Sequence, residues 1–265
     1  MELHKEAIVI DASLVGYTDY VGEDLWVDDL IAGGITASNA TVCMGTHLGE
    51  ALRELKSYHS WAKRSEEKAL IATSAADIER AKKTGKHAVI FGPQDSQFLE
   101  GTIDFLKIAY DYGIRVIQLT YNYRNSAGDG CSEKKQAGLS NYGYALVEEM
   151  NKLGVLIDLS HTGDPSSDDA IEASKDPVSF THTLPRANTP RELSDFAKWN
   201  NKYMFYGGWT DYALRRAKTD EQIKACAEKG GVIGITPFFA KKPGKSTLTD
   251  DILDQIDYTA DLVGA

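Results

Sequence analysis

Seven short β-favouring runs recur along the chain, and each ends in a polar or glycine break before a longer amphipathic segment. They are "AIVID" (7–11), "GITASNATV" (34–42), "HAVIFG" (87–92), "RVIQLTY" (115–121), "GVLIDLS" (154–160), "PVSFTHT" (177–183) and "GGVIGITPF" (230–238). Strand and helix in strict alternation require parallel strands joined by right-handed crossovers, which leaves few folds open. The helical segments carry their own boundaries. "SAADIERAKKTG" opens on Ser74 as N-cap and stops at Gly85, "TIDFLKIAYDYG" stops at Gly113, "NYGYALVEEMNKLG" at Gly154, and "TDEQIKACAEKGG" opens on Thr219 and stops at Gly230.

A (β/α)8 TIM barrel and an open doubly wound sheet both satisfy this alternation. No G-x-G-x-x-G or P-loop follows any run, so the nucleotide-binding open sheet has no support, and the barrel is the expected fold. A chain of 265 residues suits one such barrel domain, residues 1–265. Seven runs are one short of eight. The chain ends in the helix-like "DQIDYTADLVGA", and the eighth strand is expected beyond it. Residues 186–218 break the rhythm: they are long for a βα loop and hold Trp199, Tyr203, Phe205, Tyr206 and Trp209. Such a segment is a lid or an interface, or else an insertion packed on the rim.

A net charge of −10 repels phosphate backbones and anionic lipid, so no nucleic-acid partner is expected. Cys43, Cys131 and Cys226 are scattered and lack C-x-x-C spacing, which excludes a disulfide framework and a cysteine zinc site. The N-terminus has only a short apolar run without a cleavage site, and no stretch approaches bilayer-spanning length. The expectation is a cytoplasmic protein without a membrane span.

In barrels of this type the chemistry sits at the C-terminal strand ends. The polar residues there are Asp11, Ser13, Thr41, Cys43, Gln94, Asp95, Tyr121, Asn122, Asp158, Ser160, His161, His182 and Thr236. His161 and His182 end consecutive runs one βα unit apart, so both imidazoles project toward one mouth. They either share a metal ion or hydrogen-bond within the rim. The tract "YNYRNSAGDGCSEKKQAGLS" (121–140) is either a solvated loop or a cover whose aromatic and amide groups bind a small polar ligand. No G-x-S-x-G elbow is present.

Taken together, "QLTYNYRNSAGDG", "GLSNYGYALVEEMNKLGVLIDLSHTGDPSSDDAIEASKDPVSFTHT" and "TDEQIKACAEKGGVIGI" resemble the membrane (renal) dipeptidase family of zinc hydrolases. The likeness runs from "AIVID" to "DLVGA" and is densest between residues 115 and 183. It implies a metal-dependent amidohydrolase barrel, commonly a homodimer. It also implies two zinc ions that share a bridging carboxylate, activate a water and hydrolyse a dipeptide whose carboxylate an arginine holds.

Transferred residue by residue, the resemblance gives half of that site. His161 in "DLSHTG" and His182 in "FTHT" match the histidines of the second metal position. The H-x-D pair of the first strand falls on Ser13 and Val15, and neither residue replaces the lost zinc affinity. The bridging glutamate falls on Gln94, a neutral amide that bridges two cations poorly. Asp95, its neighbour, is turned elsewhere by strand alternation. Tyr121 stands at a substrate-touching histidine, with Asn122 beside it, Arg216 corresponds to the carboxylate-gripping arginine, and the catalytic aspartate is expected beyond Ala265.

The resulting expectation is a dipeptidase-like hydrolase acting on a dipeptide or related small amide, with at most one zinc. Its ligands are His161 and His182, Gln94 stands at the bridging position, and Tyr121, Asn122, Arg216 and Ser13 contact substrate. The alternatives are a family member that has lost peptidase activity and does other small-molecule chemistry, or one that only binds a ligand or partner.

Overall fold

The computed structural model describes residues 2–14, 25–43, 47–191, 208–238, 240 and 247–264. Val15, Trp199, Tyr203, Phe205 and Tyr206 lie outside the described residues, as does the side chain of Trp209. The described helices are α1 (Glu2–Glu6), α2 (Leu25–Ala32), α3 (Leu48–Arg64), α4 (Ala75–Thr84), α5 (Asp104–Asp111), α6 (Asn141–Leu153), α7 (Asp164–Ala173), α8 (Gly208–Arg216), α9 (Asp220–Glu228) and α10 (Leu248–Val263). The strands are β1 (Ile10–Leu14), β2 (Ala37–Ala40), β3 (Ala69–Ile71), β4 (His87–Phe91), β5 (Val116–Gln118), β6 (Leu156–Asp158), β7 (Val178–Thr183) and β8 (Val232–Ile235).

Local chemistry sets the helix ends. Ser74 Oγ accepts from the Asp77 amide, and α4 stops at Gly85, whose φ of 69° is left-handed. Thr219 and Gln222 form a reciprocal capping box on α9, and Thr247 and Asp250 form another on α10. The helix α3 buries Leu48, Ala51, Leu55, Tyr58 and Trp61, a spacing of three and four residues that lays one face on its unit's core.

The strands form two four-stranded sheets, ordered β1-β2-β4-β3 and β5-β6-β7-β8. The pairs β1–β2, β2–β4, β3–β4, β6–β7 and β7–β8 are parallel. The chain divides into two compact units, one of residues 1–118 with 152–156 and the other of residues 119–151 with 157–265. In the first, Trp26 stacks on Trp61 with ring centroids 5.2 Å apart, and Tyr58 meets Phe91 edge-on. In the second, Leu146, Met150, Ile157, Phe180 and Ile223 are fully buried. Each such side chain contributes about 1.5–3 kcal/mol.

One strand escapes the sequence pattern. β3 is three residues long and pairs with β4 from Ala69↔His87 to Ile71↔Val89, while the far end of the same β4 edge bridges Phe91 to Ile114. It is therefore a side strand sharing an edge of β4. Residues 186–218, read as a loop, contain a short 3-10 turn at Arg186–Asn188 and the helix α8. Cys43, Cys131 and Cys226 are free thiols. Among the described residues no helix is long and apolar enough to cross a membrane.

Candidate active site

The chain leaves β6 at Asp158 and reaches His161 in a left-handed conformation, φ 60°, which a residue with a β-carbon adopts only under constraint. The constraint is a set of backbone clamps. The Cys131 amide donates to the His161 carbonyl at 2.7 Å, Gly163 N to Asp129 O at 2.8 Å, and Lys218 Nζ to Thr162 O at 2.6 Å. From β7 comes His182. Opposite it, β8 carries Gly234, where a β-carbon would stand 2.0 Å from the Thr181 carbonyl oxygen, so only glycine lets β8 approach this closely.

The two imidazoles meet with Nε2 atoms 3.1 Å apart. His161 Nδ1 lies 2.8 Å from Asn122 Oδ1, which also accepts from the Tyr212 hydroxyl at 2.9 Å. His182 Nδ1 lies 2.7 Å from Thr181 Oγ1. Tyr121 stacks on the His161 ring at 4.2 Å between centroids, and Arg216, itself buried, donates from Nε to His161 Nε2 at 3.2 Å. Burial holds His161 well below its usual range, with Arg216, His182 and Lys218 adding to the effect; burial and then Arg216 do the same to His182. Both rings are neutral at pH 7.

Neutral imidazoles with occupied Nδ1 atoms are the form in which histidine binds metal. Their 3.1 Å separation is close to the roughly 3.3 Å edge of a tetrahedral zinc site with nitrogen ligands. Once the Arg216 N–H gives up the His161 Nε2 lone pair, the pair would supply two ligands to one ion. Among the described residues no group of three or more His, Cys, Asp or Glu converges on a common point.

Ser13 and Gln94 belong to the first unit and meet there. Gln94 Nε2 donates to Ser13 Oγ at 3.1 Å and to Thr41 Oγ1 at 2.8 Å, and Gln118 Nε2 donates to the Gln94 carbonyl. The cluster is neutral, built of hydroxyls and amides. Asp95 Oδ1 turns back to accept from the Gln97 amide at 2.8 Å. Thus Tyr121, Asn122, His161, His182 and Arg216 come together in the second unit, and Ser13 and Gln94 come together in the first.

The 121–140 tract is held from within by Asp129, whose side chain is 1% exposed. Its carboxylate accepts from Arg124 Nε at 2.5 Å, from Gly138 N at 3.2 Å and from Ala137 N. Burial alone would raise its pKa, but Arg124 and these amides outweigh burial and hold it below the usual carboxylate range. A depressed folded pKa stabilises at pH above the unfolded value near 3.9 and loses that contribution as pH falls through the folded value. Asp129→Asn should therefore cost roughly 1–3 kcal/mol at pH 7 and flatten the acid limb of a stability–pH curve measured by urea unfolding.

Sequence reasoning passed over Tyr212, Thr181 and Lys218. A signal for Tyr212 was present: it precedes Arg216 by four residues, which puts both on one face of α8. Thr181 is the immediate neighbour of His182.

The model of the membrane dipeptidase family (peptidase family M19) matches residues 17–196, more than half of the chain. The chain belongs to the membrane dipeptidase family. An uncharacterized dipeptidase of Schizosaccharomyces pombe is 29% identical over 194 residues, 71% of this chain and 41% of that protein. A dipeptidase of Clonostachys rogersoniana is 24% identical over 228 residues, 82% of this chain and 50% of that protein. The chain thus spans half or less of the length of these curated relatives. A crystal structure of an amidohydrolase from Pseudomonas aeruginosa is 30% identical, with a TM-score of 0.83 over 99% of this chain and 73% of that one. The fold class of this membrane dipeptidase family chain is the TIM barrel of the metal-dependent hydrolases.

Proposed function

We propose that the chain is a membrane-dipeptidase-type hydrolase that cleaves a dipeptide or related small amide, using at most one zinc ion held by His161 and His182. The observation that carries this reading is the pair of neutral imidazoles with Nε2 atoms 3.1 Å apart and both Nδ1 atoms engaged elsewhere. When bound, the ion would lower the pKa of a water and polarise the scissile carbonyl. The chain's own residues supply the rest. Arg216 brings a buried guanidinium to the same point, suited to a substrate carboxylate. Tyr121 covers one face of His161 and excludes water from it. Asn122 orients His161 through Nδ1.

Gln94 and Ser13 do not hold a second ion in this reading, because an amide and a hydroxyl are neutral and weak ligands for zinc beside a carboxylate or an imidazole. The same neutral cluster favours a second reading, a barrel that has given up peptidase chemistry for another small-molecule reaction. A homodimer and a cytoplasmic setting accompany the first reading.

Metal content and turnover, measured on the same preparation, test it. About one zinc per chain is expected, lost in His161→Ala and in His182→Ala, together with dipeptide hydrolysis that chelation abolishes. Hydrolysis by a metal-free protein would sink the proposal. Zinc binding without hydrolysis of any dipeptide would move support to the second reading.

A further inference from the structure

We infer that Asp158 is a positioning residue for His182: acting through the Thr181 hydroxyl, it fixes the proton of His182 on Nδ1 and leaves Nε2 as the atom offered to a ligand. The consequence for metal affinity rests on the proposed function; the proton placement does not.

Asp158 is buried at the end of β6, and its carboxylate is surrounded by donors. Oδ1 accepts from Ser160 N at 3.0 Å, Ser160 Oγ at 2.8 Å and Thr181 N at 3.0 Å, and Oδ2 accepts from Thr181 Oγ1 at 2.7 Å. A carboxylate only accepts, so the single hydroxyl proton of Thr181 lies on the bond to Asp158. With that proton spent, Thr181 Oγ1 can only accept from its other close neighbour, His182 Nδ1, 2.7 Å away. His182 Nδ1 therefore carries the N–H. A neutral imidazole has one N–H, and Nε2 is left with its lone pair directed at His161 Nε2, 3.1 Å away.

Ser160 braces the arrangement. Its hydroxyl donates to Asp158 and accepts from the His182 amide at 3.0 Å, so one carboxylate orders both the ring and the backbone of His182. His161 is ordered by different means, through the Asn122 amide oxygen. The two imidazoles thus take their Nδ1 partners from separate residues.

The experiment is two-bond nitrogen–proton correlation spectroscopy of metal-free protein labelled with ¹⁵N-histidine, with His182 assigned by the signal missing in His182→Ala. The wild type is expected to show His182 protonated at Nδ1. Thr181→Val, which keeps the shape and removes the hydroxyl, and Asp158→Asn, which can donate to Thr181 and reverse its hydroxyl, should move His182 to the Nε2–H form or to a mixture. Thr181→Ser should restore the wild-type pattern. Zinc affinity should fall roughly 10- to 100-fold in the first two variants and recover in Thr181→Ser. A wild-type ring protonated at Nε2, or a Thr181→Val spectrum like the wild type, would overturn the inference. Should Asp158→Asn fail to fold, the Thr181 pair decides. Absence of zinc binding with the expected spectra would remove the proposed function and still support this role for Asp158.

Discussion

Replacing Arg216 with methionine is expected to raise the KM for a dipeptide by roughly 100-fold and, in the same protein, to tighten zinc binding by on the order of tenfold. The two effects have one cause. Arg216 is buried, so its charge is poorly screened at the site. A substrate carboxylate paired with it gains about 3 kcal/mol from charge-assisted hydrogen bonds, which methionine cannot supply. The same charge depresses the basicity of both His161 and His182, and its Nε–H occupies the His161 Nε2 lone pair at 3.2 Å. Removing it frees that lone pair and lifts the repulsion felt by an incoming cation. Kinetics with a dipeptide and with the corresponding dipeptide amide separate the effects, because the amide lacks the carboxylate and should show little change in KM. Zinc titration of the metal-free variant checks the second effect, and weaker zinc binding in Arg216→Met would count against a metal site at His161 and His182.

Much of the frame was legible because it depends on local chemistry. The Ser74 and Thr219 caps and the glycine stops at Gly85, Gly113 and Gly154 follow from backbone groups that any helix end must satisfy. The rule that active residues end barrel strands brought His161 and His182 forward, and the structure puts them in contact. β3 was not legible: "ALI" is too short to show a period, and it is a strand only because β4 offers it an edge. Thr181 was hidden by strand alternation, which turns neighbours to opposite faces. The irregular register of β7 and β8 between Phe180 and Thr183 breaks that rule where Thr181 reaches the His182 ring. Tyr212 and Lys218 were hidden by reading 186–218 as a lid, interface or rim insertion without secondary structure of its own, when its last third contains a helix that delivers Tyr212 and Arg216 together. The contrast follows from range: caps and strand ends are fixed by neighbours in sequence, whereas the partners of the His161 imidazole come from residues 21 to 55 positions away.

Lys218 is expected to make the stability of the chain rise with pH on the alkaline side. Its ammonium is fully buried over the Phe180 ring, and burial first, then Arg186 and Arg216, bring its pKa down to about 8 against the opposing pull of Asp164 and Cys131. Below pH 8 the folded and unfolded chains both hold the proton, and stability does not change with pH on this account. Between about pH 8 and the unfolded value near 10.4 the unfolded chain binds more protons, so stability rises with pH, by about 3 kcal/mol across the window at about 1.36 kcal/mol per unit. The neutral amine keeps two N–H groups, enough for Thr162 O and Ser167 Oγ, so losing the proton need not break the clamp behind His161. Lys218→Met should abolish this rise and leave Thr162 O without its lysine partner. Urea unfolding of wild type and variant at pH 7.5, 9 and 10 reads the difference, in which other titrating groups cancel. A gap between the two proteins that stays constant with pH would show that Lys218 keeps its proton in the folded state throughout, and that the buried cation is held by more than its two hydrogen-bond acceptors.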